Sequence, residues 1–247
     1  MRHLSMCLLL ACIACGGEAP APASDSEADL KAEKSNPNPM LFPKGSRPHG
    51  RSLERWSELL WAWIYSAPID HIPLLDPTGG DCAVNQNGPV WFLAAVPGSS
   101  LGTDVTRTCT IPRNKALMVQ MASALNDYPC PDPTFQPAPG QSLYDFLISP
   151  IKPLFDGETG FSVTLDGVSI VDPLGYRLTS DDVFHFKGNA TLNPNFDPCI
   201  TGKRQEGVSD GYYLMFKPLS AGEHVIVIDG HDMHGVPVRL THRLTVQ

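Results

Sequence analysis

The sequence predicts a mainly β protein: an antiparallel β-sandwich, jelly-roll-like, with one N-terminal amphipathic helix. Short apolar or alternating runs follow one another from about residue 89 to the C-terminus. Gly, Pro, Asn and Asp separate these runs, as expected of turns. Only one stretch, around residue 56, shows a strong helical period. Many short strands divided by turns are typical of sandwich folds.

The first 17 residues look like a bacterial lipoprotein signal peptide. A short basic start at Arg2 precedes an apolar run from Leu4 to Ala14, and small residues surround a cysteine. The run is about half of the roughly 20 residues that a membrane-spanning helix needs, so it indicates a cleavable export segment over residues 1–14. We therefore expect an exported protein, anchored by lipid to a bilayer.

Two cysteines compete as the lipidated residue. Cleavage before Cys15 leaves four further cysteines, an even set, whereas cleavage before Cys12 leaves Cys15 as an odd thiol. We favour Cys15, with Cys12 as the alternative; the third interpretation is an ordinary secretory signal with incidental cysteines. The residue after Cys15 is Gly16 and not Asp. In the Gram-negative lipoproteins that this start resembles, such a residue is compatible with sorting to the outer membrane.

A tether and a single domain follow the anchor. Residues 15–48 are rich in Ala, Pro, Ser and charge without an apolar period, so we expect a disordered tether. Residues 49–247 are long enough for one β-sandwich domain with a sizeable core. The net charge of -8 and the absence of a basic stripe argue against nucleic acid as a partner.

Two helices are expected within the domain. Ser52 is a suitable N-cap for a helix through Ser66, because Trp56, Trp63 and other large apolar residues recur there at helical spacing. The simplest interpretation of this aromatic stripe is packing on a sheet. A second, shorter helix is predicted from Ser142 to Ile148.

The remaining elements are predicted strands. The strongest local signal is a hairpin whose turn is Asp166-Gly167. The last strand alternates apolar and polar residues, which indicates a half-buried antiparallel strand. The predicted ranges are Pro89 to Val96, Thr106 to Ile111, Ala116 to Ala122, Phe161 to Leu165, Val168 to Val171, Tyr176 to Leu178, Val183 to Phe186, Gly211 to Lys217, His224 to Asp229 and Val236 to Val246.

Four cysteines of the domain are expected to form two disulfides, because an exported protein lies in an oxidising compartment. The sequence allows three pairings. We favour Cys82 with Cys109 and Cys130 with Cys199, since the first pair would flank a strand, its loop and the next strand.

Two distinctive segments lie in the middle of the chain: GPVWFLA at residues 88–94 and RTCTIP at residues 107–112. Through these segments the chain resembles an uncharacterised family of exported bacterial proteins. A late stretch, from Asp210 to His224, is similar to the C-terminal part of that family. The chain departs from the family pattern at residues 118–121. The resemblance implies export and no particular activity.

One loop has the composition of a metal site. His231 and His234 would supply nitrogen ligands, and Asp232 or Asp229 would supply oxygen to a divalent metal, the only cofactor that the sequence suggests. An HxxH spacing without a helix or a third fixed ligand is a weak signal, and a polar hairpin turn is the simpler interpretation.

Other polar groups are weaker candidates. Asp70-His71 with Asp76 would suit general base catalysis, although no GxSxG elbow accompanies it. His242 lies on an apolar strand face and is expected to be a core histidine bonded to backbone. Acidic residues at Asp181-Asp182 and Asp210 suggest calcium, but no EF-hand spacing is present.

Binding or a structural role in the cell envelope fits these patterns better than catalysis does. Possible ligands are a glycan, a peptide or another envelope protein. Tyr212, Tyr213 and Trp91 would form a carbohydrate platform if they shared an exposed face, although sheet packing is the simpler interpretation. The alternative function is a metal-assisted hydrolase that uses His231, Asp232 and His234.

Overall fold

A computed structural model describes residues 36–97, 102–157, 160–231 and 235–247. The predicted signal peptide and both candidate lipidation sites, Cys12 and Cys15, lie outside these residues, as do Asp232 and His234 of the predicted metal loop. Residues 36–247 form one compact unit.

The described residues are mainly β, with two sheets of five strands and two α-helices. The helices are α1 (Leu53–Ser66) and α2 (Leu143–Ile148). The strands are β1 (Val90–Leu93), β2 (Asp104–Ile111), β3 (Ala116–Tyr128), β4 (Ser162–Leu165), β5 (Val168–Ser169), β6 (Arg177–Thr179), β7 (Phe184–Lys187), β8 (Arg204–Phe216), β9 (Gly222–His231) and β10 (Pro237–Val246).

Both sheets are mixed, so the prediction of purely antiparallel sheets is wrong. The first sheet has the order β1-β3-β8-β6, with β7 also paired to β8; the second has the order β2-β10-β9-β4-β5. β1 runs parallel to β3, and β2 runs parallel to β10. Between β1 and β3 the chain passes through β2, which belongs to the other sheet, and it re-enters the first sheet in the same direction.

A shared apolar core lies between the two sheets. β10 shows how the sequence builds it, because Leu240, Leu244 and Val246 are buried while Arg239 and Arg243 are exposed. This alternation is the period-two pattern that the sequence predicts. On the facing sheet, β8 contributes apolar side chains to the same core.

The predicted helix α1 packs on the outer face of the first sheet. The Ser52 hydroxyl accepts a hydrogen bond from the Arg55 backbone N–H at 3.2 Å, which caps the first turn. The aromatic stripe of α1 is buried, and Trp61 donates its indole N–H to the Tyr213 hydroxyl at 2.9 Å. The stripe therefore packs on the sheet, as the simpler interpretation predicted.

The folded unit begins earlier than the predicted boundary at residue 49. Leu41 is fully buried and bridges Phe216, and the Phe42 N–H donates to the Met215 carbonyl at 2.9 Å. Residues 40–42 therefore pair with the end of β8, and the compact unit includes the chain from Asn36 onward.

The predicted hairpin is present. Asp166 and Gly167 both have positive φ, at 51° and 79°, and connect β4 to β5. Positive φ at both central positions is the requirement of a two-residue hairpin turn that fits the strand twist, which explains the Asp-Gly sequence.

Candidate functional site

The described residues include only part of the predicted metal loop, up to His231. His231 is exposed at the end of β9, and Asp229 on the same strand is paired with Arg239 at 3.1 Å. The described residues bring no group of three ligand-type side chains together around His231. Asp127, Asp197 and Cys199 form such a group elsewhere, but Cys199 is bonded to Cys130 and offers no thiolate.

The predicted Asp70-His71 pair lies in a short 3-10 helix, Ile69–His71. His71 is exposed and its Nδ1 lies 2.9 Å from the Asp81 carboxylate. Asp76 is buried, and its two carboxylate oxygens accept backbone N–H groups from Thr78 and Asp81. Although burial opposes it, these bonds lower the pKa of Asp76. The carboxylate therefore fixes the loop.

His242 is a core histidine, as expected, but its Nε2 has no hydrogen-bond partner among the described residues. Burial and the neighbouring Arg107 lower the pKa of His242 to about 3. The ring is therefore neutral, and it lines a cavity of about 10 Å³ together with Asp76 and the Cys82–Cys109 disulfide. A cavity of this size is at the lower limit for one water molecule.

The remaining sequence candidates are structural. Tyr212, Tyr213 and Trp91 are all buried, so the carbohydrate platform is not formed and the sheet-packing interpretation is confirmed. Asp210 is fully buried and receives two hydrogen bonds from the Arg177 guanidinium, at 2.5 and 3.1 Å.

The four cysteines form two disulfides in the favoured pairing. Cys82 is bonded to Cys109 across 27 residues, and Cys130 is bonded to Cys199 across 69 residues. Disulfides persist in oxidising compartments, so they indicate an extracytoplasmic location. Among the described residues, no helix has the length and apolar character to span a membrane.

A cleft of about 740 Å³ lies beside β7 on the described surface. One wall is the N-terminal half of α1, and the other is β7 with the loop before it. We name this feature the β7 cleft. It is lined by Ser52, Glu54, Arg55, Glu58, Asp181, Asp182, Val183, Phe184, His185, Phe186, Lys187 and Arg204.

The β7 cleft runs along the edge of a sheet. Phe184 and Phe186 are buried, whereas His185 and Lys187 point to the opposite face and are exposed, yet all four border the same cleft. When side chains from both faces of a strand border the same cleft, the cleft follows the edge of that strand. Within the described residues, β7 pairs with β8 alone, so its other edge presents unpaired backbone groups.

At two other places near sheet edges, a side chain caps the backbone. On β1, the Gln86 amide donates to the Phe92 carbonyl at 2.8 Å and accepts from the Phe92 N–H at 3.1 Å, which imitates a neighbouring strand. Just after β5, Asn38 makes the same pair of bonds to Val171, at 2.9 and 2.7 Å.

The edge of β2 is met by a loop, because the Thr108 N–H donates to the Thr78 carbonyl at 2.8 Å. No such bond to the β7 backbone is found in the described part of the chain. The β7 edge thus differs from the capped edges of β1 and β2 in being open to a partner.

One carboxylate is partly withdrawn from water inside the β7 cleft. Glu58 is buried, and burial raises its pKa although Arg55 opposes the shift. The Arg55 guanidinium donates to the Glu58 carboxylate at 2.6 Å. A perturbed acid that faces a cleft is a marker of a binding site.

A second groove, of about 670 Å³, lies on the other side of α1. Its polar groups are already used: Asn85 donates to Ser66, Asn87 donates to the Asn85 carbonyl, and Gln86 caps β1. Because its hydrogen-bonding groups are engaged, this groove offers less to a ligand than the β7 cleft does.

Sequence reasoning missed the β7 cleft. It placed a strand at Val183 to Phe186 and considered Asp181-Asp182 only as calcium ligands. Whether a strand lies at a sheet edge depends on which distant strands pair with it, and no local pattern gives that. The signal that was present is the exposed His185 and Lys187, since charges are typical of edge strands.

Comparisons with known proteins add little. No family model matches the chain, and no curated protein matches it. A solved structure described as the solution structure of amebosin aligns with 65% of this chain and 100% of its own length, at 14% identity and a TM-score of 0.21. A likeness at that score carries no argument about fold or function.

Proposed function

We propose that this protein is an exported cell-envelope protein whose folded domain binds an extended peptide segment along the open edge of β7. The observation that carries the proposal is the β7 cleft, in which an uncapped strand edge borders a space of about 740 Å³. Addition of a peptide strand to an exposed sheet edge is a common mode of peptide recognition. The bound segment would come from a peptide or from an envelope protein.

The structure of the cleft suits this mode of binding. Main-chain hydrogen bonds to β7 would supply affinity, and side chains of the segment would contact α1 on the opposite wall. The two sheets with their shared core, arranged as a β-sandwich, would hold the edge rigid. The protein would therefore lose little conformational entropy when a segment binds.

The test of this proposal uses peptides selected from a random ten-residue library on the full-length protein. In a paired strand, only alternate residues direct their N–H groups to the neighbouring strand. N-methylation of one alternate set of a selected peptide should therefore abolish binding, and N-methylation of the other set should leave it almost unchanged. Equal effects of the two sets, or selection of no binding peptide, would contradict strand addition.

The anchor is part of the same proposal. The basic start, the short apolar run and the cysteine of residues 1–17 support a lipid anchor at Cys15, with residence at the outer membrane. Palmitate labelling of the protein should be lost in Cys15→Ser and kept in Cys12→Ser, and globomycin should block its processing. Labelling that is lost only in Cys12→Ser would move the anchor to that residue, and an unlabelled wild-type protein would exclude it.

A further inference from the structure

The basic end of the β7 cleft holds two cations in direct opposition. Lys187 of β7 and Arg204 of β8 are cross-strand partners, and both are exposed. Neither side chain forms a hydrogen bond or an ion pair within the described residues, and the nearby Glu206 is engaged with His185 at 3.3 Å. Like charges directly opposite each other destabilise a strand pair. An anionic group placed between them would relieve the repulsion.

The other end of the cleft is acidic. Asp181 and Asp182 are exposed in the loop that leads into β7, and neither forms an ion pair with the described residues. Glu54 and Glu58 of α1 border the same cleft, and among the described residues Arg55 is the one cation that α1 contributes to it. This end therefore carries a surplus of negative charge, which favours a cationic group.

The two ends are separated by the length of β7 and the residues just before it. Asp182 lies two positions before the start of β7, and Lys187 is its last residue, so the two are five positions apart. At about 3.3 Å per residue for an extended chain, the acidic and basic ends are at most roughly 16 Å apart. A segment that adds to β7 has the same rise per residue, so its own charges would have to be about five positions apart to meet both ends.

From these observations we infer that the β7 cleft selects a dipolar peptide segment, with a basic residue facing Asp181 and Asp182 and an acidic residue about five positions away facing Lys187 and Arg204. This inference rests on the proposed function. A segment with charges of one sign at both positions would be attracted at one end and repelled at the other.

The test uses four end-blocked peptides with the same alternating Val-Thr core. The residues at the two charged positions, five apart, are Lys and Glu, Lys and Lys, Glu and Glu, or Gln and Gln. Because a strand can add in either direction, Lys and Glu can stand in either order along the Lys-Glu peptide. Binding of each peptide to the full-length protein is measured by calorimetry at low salt, where such charges are least screened.

For the wild-type protein, the Lys-Glu peptide should bind about tenfold more tightly than either like-charged peptide, and the Gln-Gln peptide should lie between. The double variant Lys187→Glu with Arg204→Glu makes both ends acidic, so the Lys-Lys peptide should become the tightest ligand. The matched control is Arg113→Glu, a charge reversal in the exposed turn before β3, which should keep the wild-type order.

Each outcome decides a different point. If all four peptides bind equally and the double variant changes nothing, the inference is wrong while strand addition still stands. If N-methylation in either alternate set has no effect and none of the four peptides binds, the proposed function fails and the inference fails with it. If the double variant prefers the Lys-Lys peptide while the wild type and Arg113→Glu prefer the Lys-Glu peptide, the charge arrangement is supported.

Discussion

Arg107 is a buried cation held by backbone carbonyls. Its guanidinium donates to the carbonyls of Asp76, Ala94, Ala95 and Leu74 at 2.6 to 3.0 Å. Burial lowers its pKa to about 10, against the nearby Asp76 charge, so the group is still protonated at neutral pH. The side chain thus joins the loop after α1 to the chain that follows β1.

Replacement of Arg107 by Lys should destabilise the protein by about 2 to 4 kcal/mol, because an ammonium group cannot reach all of these carbonyls and would leave some buried without a donor. Urea unfolding would measure the loss, with Arg113→Lys, an exposed position, as the control. A variant as stable as the control would show that the carbonyls do not depend on Arg107.

Asp127 is a buried carboxyl next to a second carboxylate. Burial and the charge of Asp197 raise its pKa to about 7, while Gln205 donates to it at 2.6 Å. The group favours folding while it is protonated. Its contribution is therefore complete below the unfolded pKa near 3.8 and is lost as pH rises through about 7.

The variant Asp127→Asn should consequently be more stable than the wild type by about 2 kcal/mol at pH 8, and almost equal to it at pH 4. Thermal unfolding across this pH range tests the expectation, with the exposed Asp104→Asn as the control. A constant difference at all pH values would contradict the shifted pKa.

His224 is a base whose pKa is raised in the folded protein. Like Asp127, it therefore stabilises the fold more at low pH than at high pH. Burial alone would lower its pKa, but bonds to Asp166 at 2.7 Å and to the Ser220 carbonyl at 3.0 Å outweigh burial and raise it. The imidazolium therefore stabilises the fold below pH 6.5, and this contribution disappears as pH rises through the raised pKa.

In Asp166→Asn, the pKa of His224 should fall. The variant should then lose less stability than the wild type when the pH is raised above 6.5. NMR titration of the His224 ring measures the first change, and unfolding at pH 5.5 and 8.5 measures the second. An unaltered ring titration would show that Asp166 does not hold the charge.

At the scale of elements, edge capping distinguishes β1 from β7. Gln86→Ala removes three hydrogen bonds, two of them to the Phe92 backbone, so we expect a loss of about 1 to 3 kcal/mol. Denaturant unfolding of Gln86→Ala and of Asn87→Ala, whose side chain lies outside the strand edge, provides the comparison. Equal stability of the two variants would contradict the capping role.

Elements with strong local signals were predictable from the sequence. The cap and aromatic period of α1 and the Asp-Gly turn of the hairpin each depend on neighbouring residues alone. β3 and β8 were predicted too short, because their extensions contain polar residues such as Asp127 and Asp210. The partners that satisfy those groups are distant in sequence, so their burial could not be inferred locally.

At the scale of the whole molecule, strand pairing decides both the topology and the candidate site. The parallel pair of β2 and β10 joins residues more than 120 positions apart, and no local pattern indicates it. The open edge of β7 has the same origin, since among the described residues β7 pairs with β8 and with no further strand. The sequence could predict the site's residues as a strand, but not its exposure.

Amide hydrogen exchange of β7 tests the central claim most directly. The full-length protein would be compared with and without a saturating amount of a selected peptide. The account predicts slower exchange at alternate amides of residues 184–187, and no change at Phe92, whose N–H is already bonded to Gln86. Peptide binding that leaves the exchange of β7 unchanged would contradict the account.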